Sequence, residues 1–231
     1  AVLIFGCGKN PKTEADNTYC YHGDSITKQY YKDAQSILYY GIYMDSAAHP
    51  DYFNPYFDTV KINSHLDKIQ AVRNLNTPET DSIFNIHKVH TFGWISAVSF
   101  TIDLDLAAPE TQKIKQGQPT GNALFDSLQN QFGFKYMNIS QSGWADFITA
   151  KPYNLFPIIR WLQSVPFVLN GEIGGYIGDG SNIEITQSGT TSTVDFSIGW
   201  GDCLAGCIYH RHWIFEVDKN CKATFIRAFT N

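Results

Sequence analysis

The predicted fold is decided by the stretch SAVSFTIDLDL, residues 96–106, in which apolar and polar side chains alternate. Successive side chains of a β-strand point to opposite faces of the sheet, so this alternation is typical of a strand with one buried face. Val98, Phe100, Ile102 and Leu104 would share the apolar face. The stretch therefore predicts a β-strand with one apolar and one polar side.

The elements after this strand predict a β-α-β-β-α-β order. Apolar residues at helical spacing indicate two helices, and alternation indicates three more strands. In chain order, after a polar loop at 109–119, they are a helix capped by Thr120 or Asn122, strands at 134–140 and 146–150, a helix capped by Asn154, and a strand at 167–173. This order is that of the ferredoxin-like fold.

Helices are predicted before this unit and strands after it. The first helix begins at Asp24 or Ser25, which cap it, and the second begins near residue 63 and ends before Asn76. Residues 82–90 predict a further strand. In the C-terminal third, alternation predicts a meander with strands at 182–187, 193–200, 213–217 and 224–229. The predicted class is thus α+β, with a ferredoxin-like unit preceded by two helices and followed by an antiparallel β-meander.

The length allows one large domain or two small ones, and the composition is that of a globular protein. With 231 residues, 43% of them hydrophobic, the chain carries enough apolar surface for a substantial core. Residues 24–231 are expected to form a single α+β domain, which can be subdivided into 24–95 (helices and a strand), 96–177 (ferredoxin-like) and 178–231 (β-meander). The net charge of −5 is mild and the basic residues do not cluster, which argues against a nucleic-acid partner.

The N-terminal residues predict a lipid anchor on Cys7. The apolar run AVLIFG, residues 1–6, ends in a small residue directly before Cys7, and polar residues follow. A bacterial lipobox needs a small residue before a cysteine that carries a lipid. We therefore interpret residues 1–23 as a signal remnant, lipobox and tether, which predicts an extracytoplasmic, outer-membrane lipoprotein. The alternative is an edge strand that happens to contain a cysteine.

Four further cysteines fit an exported protein, in which disulfides persist. Cys203 and Cys207 would form a bridge if the three residues between them make a tight turn, which Gly206 favours. Cys20 and Cys221 would then tie the N-terminus to the last hairpin. The alternatives are four reduced thiols or an unpaired Cys20. The spacing of Cys203 and Cys207 differs from that of thiol oxidoreductases, which favours a structural bridge.

Two motifs carry a resemblance to a known group of proteins. GYIGDG occupies residues 175–180, and GWGDCLAGC at 199–207 is followed by Trp213 and a final hairpin. In this combination the chain resembles uncharacterised secreted proteins and lipoproteins of the Bacteroidota, over most of residues 25–229. The resemblance implies an envelope location and disulfide chemistry. It implies no activity, because none is assigned to the group.

Trp200, Tyr209, His210 and Trp213 are the candidate binding residues, because they flank the GWGDCLAGC loop. Tyrosine and tryptophan are favoured anchors at protein interfaces. A loop closed by a disulfide also has little conformational freedom left to lose on binding. The alternative is that Trp200 and Trp213 belong to the core of the meander.

A metal site is a second hypothesis for this region. His210 and His212 would share one face of a strand and, with Asp202, would offer three ligands to zinc. Hydrogen-bonded strand histidines are the favoured alternative, so no metal and no cofactor is predicted. Residues 179–182 are interpreted as a β-turn rather than as a calcium loop.

These observations together predict a non-enzymatic envelope lipoprotein that binds or scaffolds a partner protein or an outer-membrane complex. One alternative is a protease-inhibitor or prodomain-like binder, because the ferredoxin-like order recurs in protease propeptides. The other is a metal-dependent hydrolase that uses His210, His212 and Asp202. The membrane would be a partner through Cys7, and the ligand is not determined by the sequence.

Overall fold

A computed structural model describes residues 20–93, 95–175 and 178–231. This part contains helices and two four-stranded antiparallel sheets, which confirms the predicted α+β class. The helices are α1 (Asp24–Asp45), α2 (Thr59–Arg73), α3 (Pro78–Asp81), α4 (Pro109–Lys115), α5 (Ala123–Phe132) and α6 (Leu155–Leu162), with a 3-10 turn at Ser46–Ala48 and a π-helical turn at Ser82–Ile86. In the described ranges, none of these helices has both the length and the apolar character needed to cross a membrane.

The first sheet has the strand order β2-β3-β1-β4. Its strands are β1 (Ile95–Leu104), β2 (Lys135–Ile139), β3 (Trp144–Ile148) and β4 (Val168–Gly175). All three strand pairs are antiparallel. Helices α4 and α5 connect β1 to β2, and α6 connects β3 to β4. Phe100, Ile102 and Leu104 of β1 are buried, as the alternation along residues 96–106 predicts.

The second sheet is the predicted C-terminal meander, and this prediction is confirmed. Its strands pair in chain order, each antiparallel to the next. They are β5 (Asn182–Ser188), β6 (Thr191–Trp200), β7 (Tyr209–Asp218) and β8 (Ala223–Thr230). Alternate residues such as Val194 and Phe196 in β6 are buried, because one face of the sheet packs against the N-terminal helices.

Residues 82–90 are predicted to form a strand, and this prediction is wrong: residues 82–86 continue helix α3 as a π-helical turn, and residues 87–90 are irregular. The helix begins at a capping box formed by Thr77, with Pro78 in the first turn. Ile83 and Phe84 are adjacent in sequence and both are buried. A helix packed against a sheet can bury two neighbouring side chains, whereas a strand with one buried face cannot.

Two further predictions, both concerning where helices begin, are wrong. Helix α4 lies inside residues 109–119, predicted to be a loop, because Pro109 occupies its first turn, where the missing N–H group costs nothing. Gly23 is the N-cap of α1 and makes no side-chain hydrogen bond, so the capping predicted for the two residues after it is wrong. Asn122 and Asn154 cap α5 and α6 as predicted, each accepting a backbone N–H hydrogen bond.

Two hydrophobic cores form in the described part of the chain. In the first, α1, α2 and the π-helical turn pack against the second sheet, with Tyr30, Leu66 and Phe196 fully buried. The second core lies between the first sheet and helices α5 and α6. The first core therefore joins the N-terminal helices to the last four strands, although the first sheet separates them in sequence. A single domain over residues 24–231 stays a prediction.

A disulfide between Cys20 and Cys221 ties the start of α1 to the β7–β8 turn. The two Cα atoms lie 5.3 Å apart, and the cysteines are separated by 201 residues in sequence. The pairing predicted for these cysteines is confirmed. The bridge covalently supplements the contact between the N-terminal helices and the second sheet.

Candidate functional site

The β6–β7 loop (residues 201–208) is closed by the predicted disulfide between Cys203 and Cys207, whose Cα atoms are 3.9 Å apart. A hydrogen bond from the N–H of Ala205 to the carbonyl oxygen of Asp202 makes a turn in the first half of this loop. Gly206 has a φ of +112°, which an L side chain rarely adopts. The loop therefore combines a covalent closure with a glycine-dependent backbone.

Large apolar side chains at this loop are exposed to solvent. We call Trp200, Leu204, Ile208 and Tyr209 the apolar tip; their exposed fractions are 42%, 79%, 61% and 50%. The rings of Trp200 and Tyr209 face each other across β6 and β7 and stack with their centroids 5.8 Å apart. The tip thus presents one ordered aromatic pair and two aliphatic side chains to solvent.

Trp213, the fourth candidate binding residue, lies in the core instead. Only 4% of it is exposed, and it packs within the first hydrophobic core. Its ring lies 5.7 Å from that of His87, and the guanidinium of Arg211 lies 5.8 Å from its centroid. Trp200 is therefore available at the surface, whereas Trp213 is part of the first hydrophobic core.

Asp179 makes hydrogen bonds both to the β6–β7 loop and to the start of β7, the strand that follows this loop. Its Oδ2 lies 2.8 Å from Nε2 of His210 and accepts a hydrogen bond of 3.4 Å from the N–H of Cys207. Its own N–H donates to the carbonyl oxygen of Cys203 at 2.7 Å. The sequence predicts only a β-turn for Asp179, although its position in the GYIGDG motif is a signal that could have identified it.

Glycines give this contact the room that it needs. Gly178 has a φ of +111°, and a Cβ atom there would lie 2.7 Å from the carbonyl oxygen of Cys203. A Cβ atom on Gly199 would lie 2.5 Å from Sγ of Cys207 and 3.0 Å from Nε2 of His210. Gly178 and Gly199, one in each motif, are therefore required because the β6–β7 loop and β7 approach their backbones closely.

A second histidine–aspartate pair lies next to the first. Nδ1 of His212 is 2.9 Å from Oδ2 of Asp195, and the His212 ring stacks on Phe229 with centroids 4.8 Å apart. Burial raises the pKa of the Asp195 carboxyl above its usual value, although the hydrogen bond with His212 acts in the opposite direction. Among the described residues, Oδ1 of Asp195 has no hydrogen-bond partner.

His210, His212 and Asp202, the three residues of the metal hypothesis, do not pair with one another in the structure. His210 pairs with Asp179, His212 pairs with Asp195, and Asp202 is exposed on the β6–β7 loop. The centroids of the two histidine rings are 6.1 Å apart. Each histidine is thus hydrogen-bonded on the strand, which is the alternative that the sequence favours.

A cleft of about 480 Å³ lies between α1 and β5, an outer strand of the second sheet. Tyr40 and Asp45 line it from the helix, and Asn182 and Glu184 line it from the strand. Asp179 also lines it. The cleft therefore adjoins the contact that holds the β6–β7 loop.

Cys7, the predicted lipid anchor, lies outside the described residues. Comparison of the chain with known proteins gives no match to a family model, to a curated protein or to a solved structure. The candidate site therefore rests on its own geometry, which consists of the apolar tip, the disulfide behind it, and the aspartate and histidine that hold the loop.

Proposed function

We propose that this protein is a non-enzymatic binding protein of the cell envelope that contacts a partner protein through the apolar tip. The observation that carries the proposal is the exposure of Trp200, Leu204, Ile208 and Tyr209 around one disulfide-closed loop. Scattered exposed apolar residues are ordinary on a protein surface, whereas a group of them at one loop marks an interaction site. Buried aromatic anchors supply much of the free energy of a protein interface.

The constraint on the loop favours binding. Ordering a flexible loop on association costs free energy, and a loop that is already ordered avoids this cost. Here the disulfide, the Trp200–Tyr209 stack and the hydrogen bonds of Asp179 all hold the loop before a partner arrives. The tip therefore has the properties of a preorganised contact surface.

A charge introduced into the tip tests this proposal. We expect Leu204→Asp to lower recovery of the partner from native membranes by about tenfold or more, because a carboxylate would be desolvated at the interface. The melting temperature should stay unchanged, since Leu204 is 79% exposed. Affinity purification with quantitative mass spectrometry measures recovery.

Leu169→Asp is the matched control, because Leu169 is also exposed, at 63%, but lies on β4. It should retain every partner. If Leu204→Asp recovers the same partners as the unaltered protein in equal amounts, the tip is not the contact surface.

We propose further that the protein is an outer-membrane lipoprotein anchored through Cys7. The apolar run before this cysteine and the polar residues after it support the anchor, and the two disulfides are typical of an oxidising compartment. The resemblance of the two glycine-rich motifs to Bacteroidota envelope proteins supports the same location.

The anchor has its own test. Cys7→Ala is expected to move the protein from the membrane fraction to the soluble fraction, because the lipid chains supply the membrane affinity. Immunoblotting of the two fractions measures the shift, and Cys203→Ala/Cys207→Ala should stay in the membrane fraction. Membrane retention of Cys7→Ala would contradict the anchor.

Residues 95–175 are proposed to form a ferredoxin-like unit. The antiparallel strand order β2-β3-β1-β4 and the helices between β1 and β2 and between β3 and β4 support it. The protease-inhibitor or prodomain-like alternative rests on this fold analogy alone. The hydrolase alternative needs Asp202 beside His210 and His212, and those histidines pair with other carboxylates.

A further inference from the structure

The disulfide of the β6–β7 loop lies against a histidine and a carboxylate. Sγ of Cys207, a ring nitrogen of His210 and a carboxylate oxygen of Asp179 all lie within 4.8 Å of one another. Cys203 adds a fourth donor, because its sulfur is bonded to that of Cys207. Three donors therefore meet at one point of the structure, and the sulfur of Cys203 is one bond away from one of them.

This donor set is one that zinc accepts. Zinc in structural sites is tetrahedral and takes cysteine thiolates, histidine nitrogen and carboxylate oxygen. A sulfur in a disulfide carries no thiolate charge and is not a zinc ligand, because the thiolate is the form that binds metal. While the disulfide is intact, therefore, neither Cys203 nor Cys207 can bind zinc.

We infer that reduction of the Cys203–Cys207 disulfide converts this cluster into a zinc site, with Cys203, Cys207, His210 and Asp179 as ligands. A dithiol reductant transfers two electrons to the bridge and becomes a disulfide itself. The sulfur–sulfur bond breaks, and each cysteine sulfur takes up a proton. Zn²⁺ then displaces the two thiol protons as the two zinc–sulfur bonds form.

The movements that zinc requires are smallest at the histidine and the aspartate. Tetrahedral coordination places two thiolate sulfurs about 3.8 Å apart, and a nitrogen and an oxygen ligand about 3.4 Å apart. Nε2 of His210 and Oδ2 of Asp179 start at 2.8 Å, so they separate by about 0.6 Å. The sulfurs separate further, in a loop whose positive-φ positions Gly201 and Gly206 tolerate backbone adjustment.

Gly199 has no side chain, and this lets the sulfur of Cys207 and the ring of His210 approach β6 closely. A Cβ atom at this position would lie 2.5 Å from Sγ of Cys207 and 3.0 Å from Nε2 of His210. The cysteines and the histidine are also only half-buried, so an ion can reach them. Zinc would then hold the β6–β7 loop in place of the disulfide, and the apolar tip would stay ordered in either redox state.

Cobalt is the probe that tests the site, because its visible spectrum reports tetrahedral thiolate ligation. The full chain is reduced with a dithiol, desalted without oxygen and titrated with Co²⁺ and then Zn²⁺. We expect one Co²⁺ per reduced chain, with a thiolate-to-cobalt charge-transfer band that Zn²⁺ removes. The oxidised chain should show no such band.

Substitution of the proposed ligands one site at a time identifies which residues bind the metal. Cys203→Ser/Cys207→Ser keeps Cys20 and Cys221 and should lose the band, and His210→Gln and Asp179→Asn should each weaken binding by about tenfold or more. His212→Gln is the control, because His212 is the neighbouring strand histidine and should bind metal normally. Circular dichroism of each variant reports its fold.

Two outcomes overturn the inference. One is a reduced, folded chain that binds no Co²⁺. The other is binding that persists unchanged in Cys203→Ser/Cys207→Ser or in folded His210→Gln, since the metal would then be held by other residues. Gly199→Ala gives a second readout, because a methyl group there should weaken Co²⁺ binding even though it removes no ligand.

Discussion

Cys20→Ala/Cys221→Ala is expected to lower the free energy of unfolding by about 4–5 kcal/mol, the largest effect expected of any change to the cysteines. A disulfide stabilises mainly by restricting the unfolded chain, and the restriction grows with the length of the loop that it closes. This bridge joins residues 201 positions apart, and it ties α1 to the second sheet across the first core. Urea unfolding followed by circular dichroism measures the loss.

The second disulfide is the matched control for this prediction. Cys203 and Cys207 are only 4 positions apart, so the same chain-entropy argument predicts a loss of about 2 kcal/mol for Cys203→Ala/Cys207→Ala. Equal losses for the two double variants would show that chain entropy does not account for the stability that these bridges supply.

Asn154→Asp is expected to destabilise the protein by about 3 kcal/mol at neutral pH. Asn154 is fully buried, and its Nδ2 lies 2.9, 3.1 and 2.9 Å from the carbonyl oxygens of Asp51, Tyr52 and Asn54. The aspartate would remove these donors and place a buried carboxylate oxygen against three carbonyl oxygens. Its other oxygen would still cap α6.

The pH dependence of this variant follows from the same contact. Burial beside three carbonyl oxygens disfavours the charged form, so the pKa of the new carboxyl is raised in the folded state. The folded variant then binds more protons than the unfolded one, and its deficit relative to the unaltered protein shrinks as the pH falls. Urea unfolding at about pH 7 and at about pH 4.5 measures the change.

Asn154→Ala separates the charge from the lost hydrogen bonds. It removes the donors and the cap but adds no ionisable group, so we expect a loss of about 2 kcal/mol that does not depend on pH relative to the unaltered protein. If Asn154→Asp shows the same loss and the same pH slope as Asn154→Ala, the carboxylate does not meet the three carbonyl oxygens.

Local patterns explain why several elements were predictable. Alternation along β1 and along β5 to β8 identifies these strands because one face of each sheet is buried. Asn122 and Asn154 identify two helix starts because an asparagine side chain satisfies a free N–H group of the first turn. The pairing of the cysteines followed from a short spacing and an even count.

Long-range contacts explain why other features were not predictable. Residues 82–90 alternate, but packing against the second sheet, with Phe84 in contact with Phe196, extends the helix that starts at Thr77 through residues 82–86. The candidate site depends on Asp179 meeting His210, and these residues are 31 positions apart. The hydrophobic periodicity of a sequence does not predict a contact between side chains so far apart along the chain.

Residue type and spacing along the chain were enough to predict the α+β class, the C-terminal meander, two helix caps and the bridge between Cys203 and Cys207. Tertiary structure alone decided that the N-terminal helices share a core with the last four strands. It also decided that Trp200 is exposed whereas Trp213 is buried. The physical reason is that the two tryptophans lie in similar strands, and burial depends on which surface each one meets after the chain has folded.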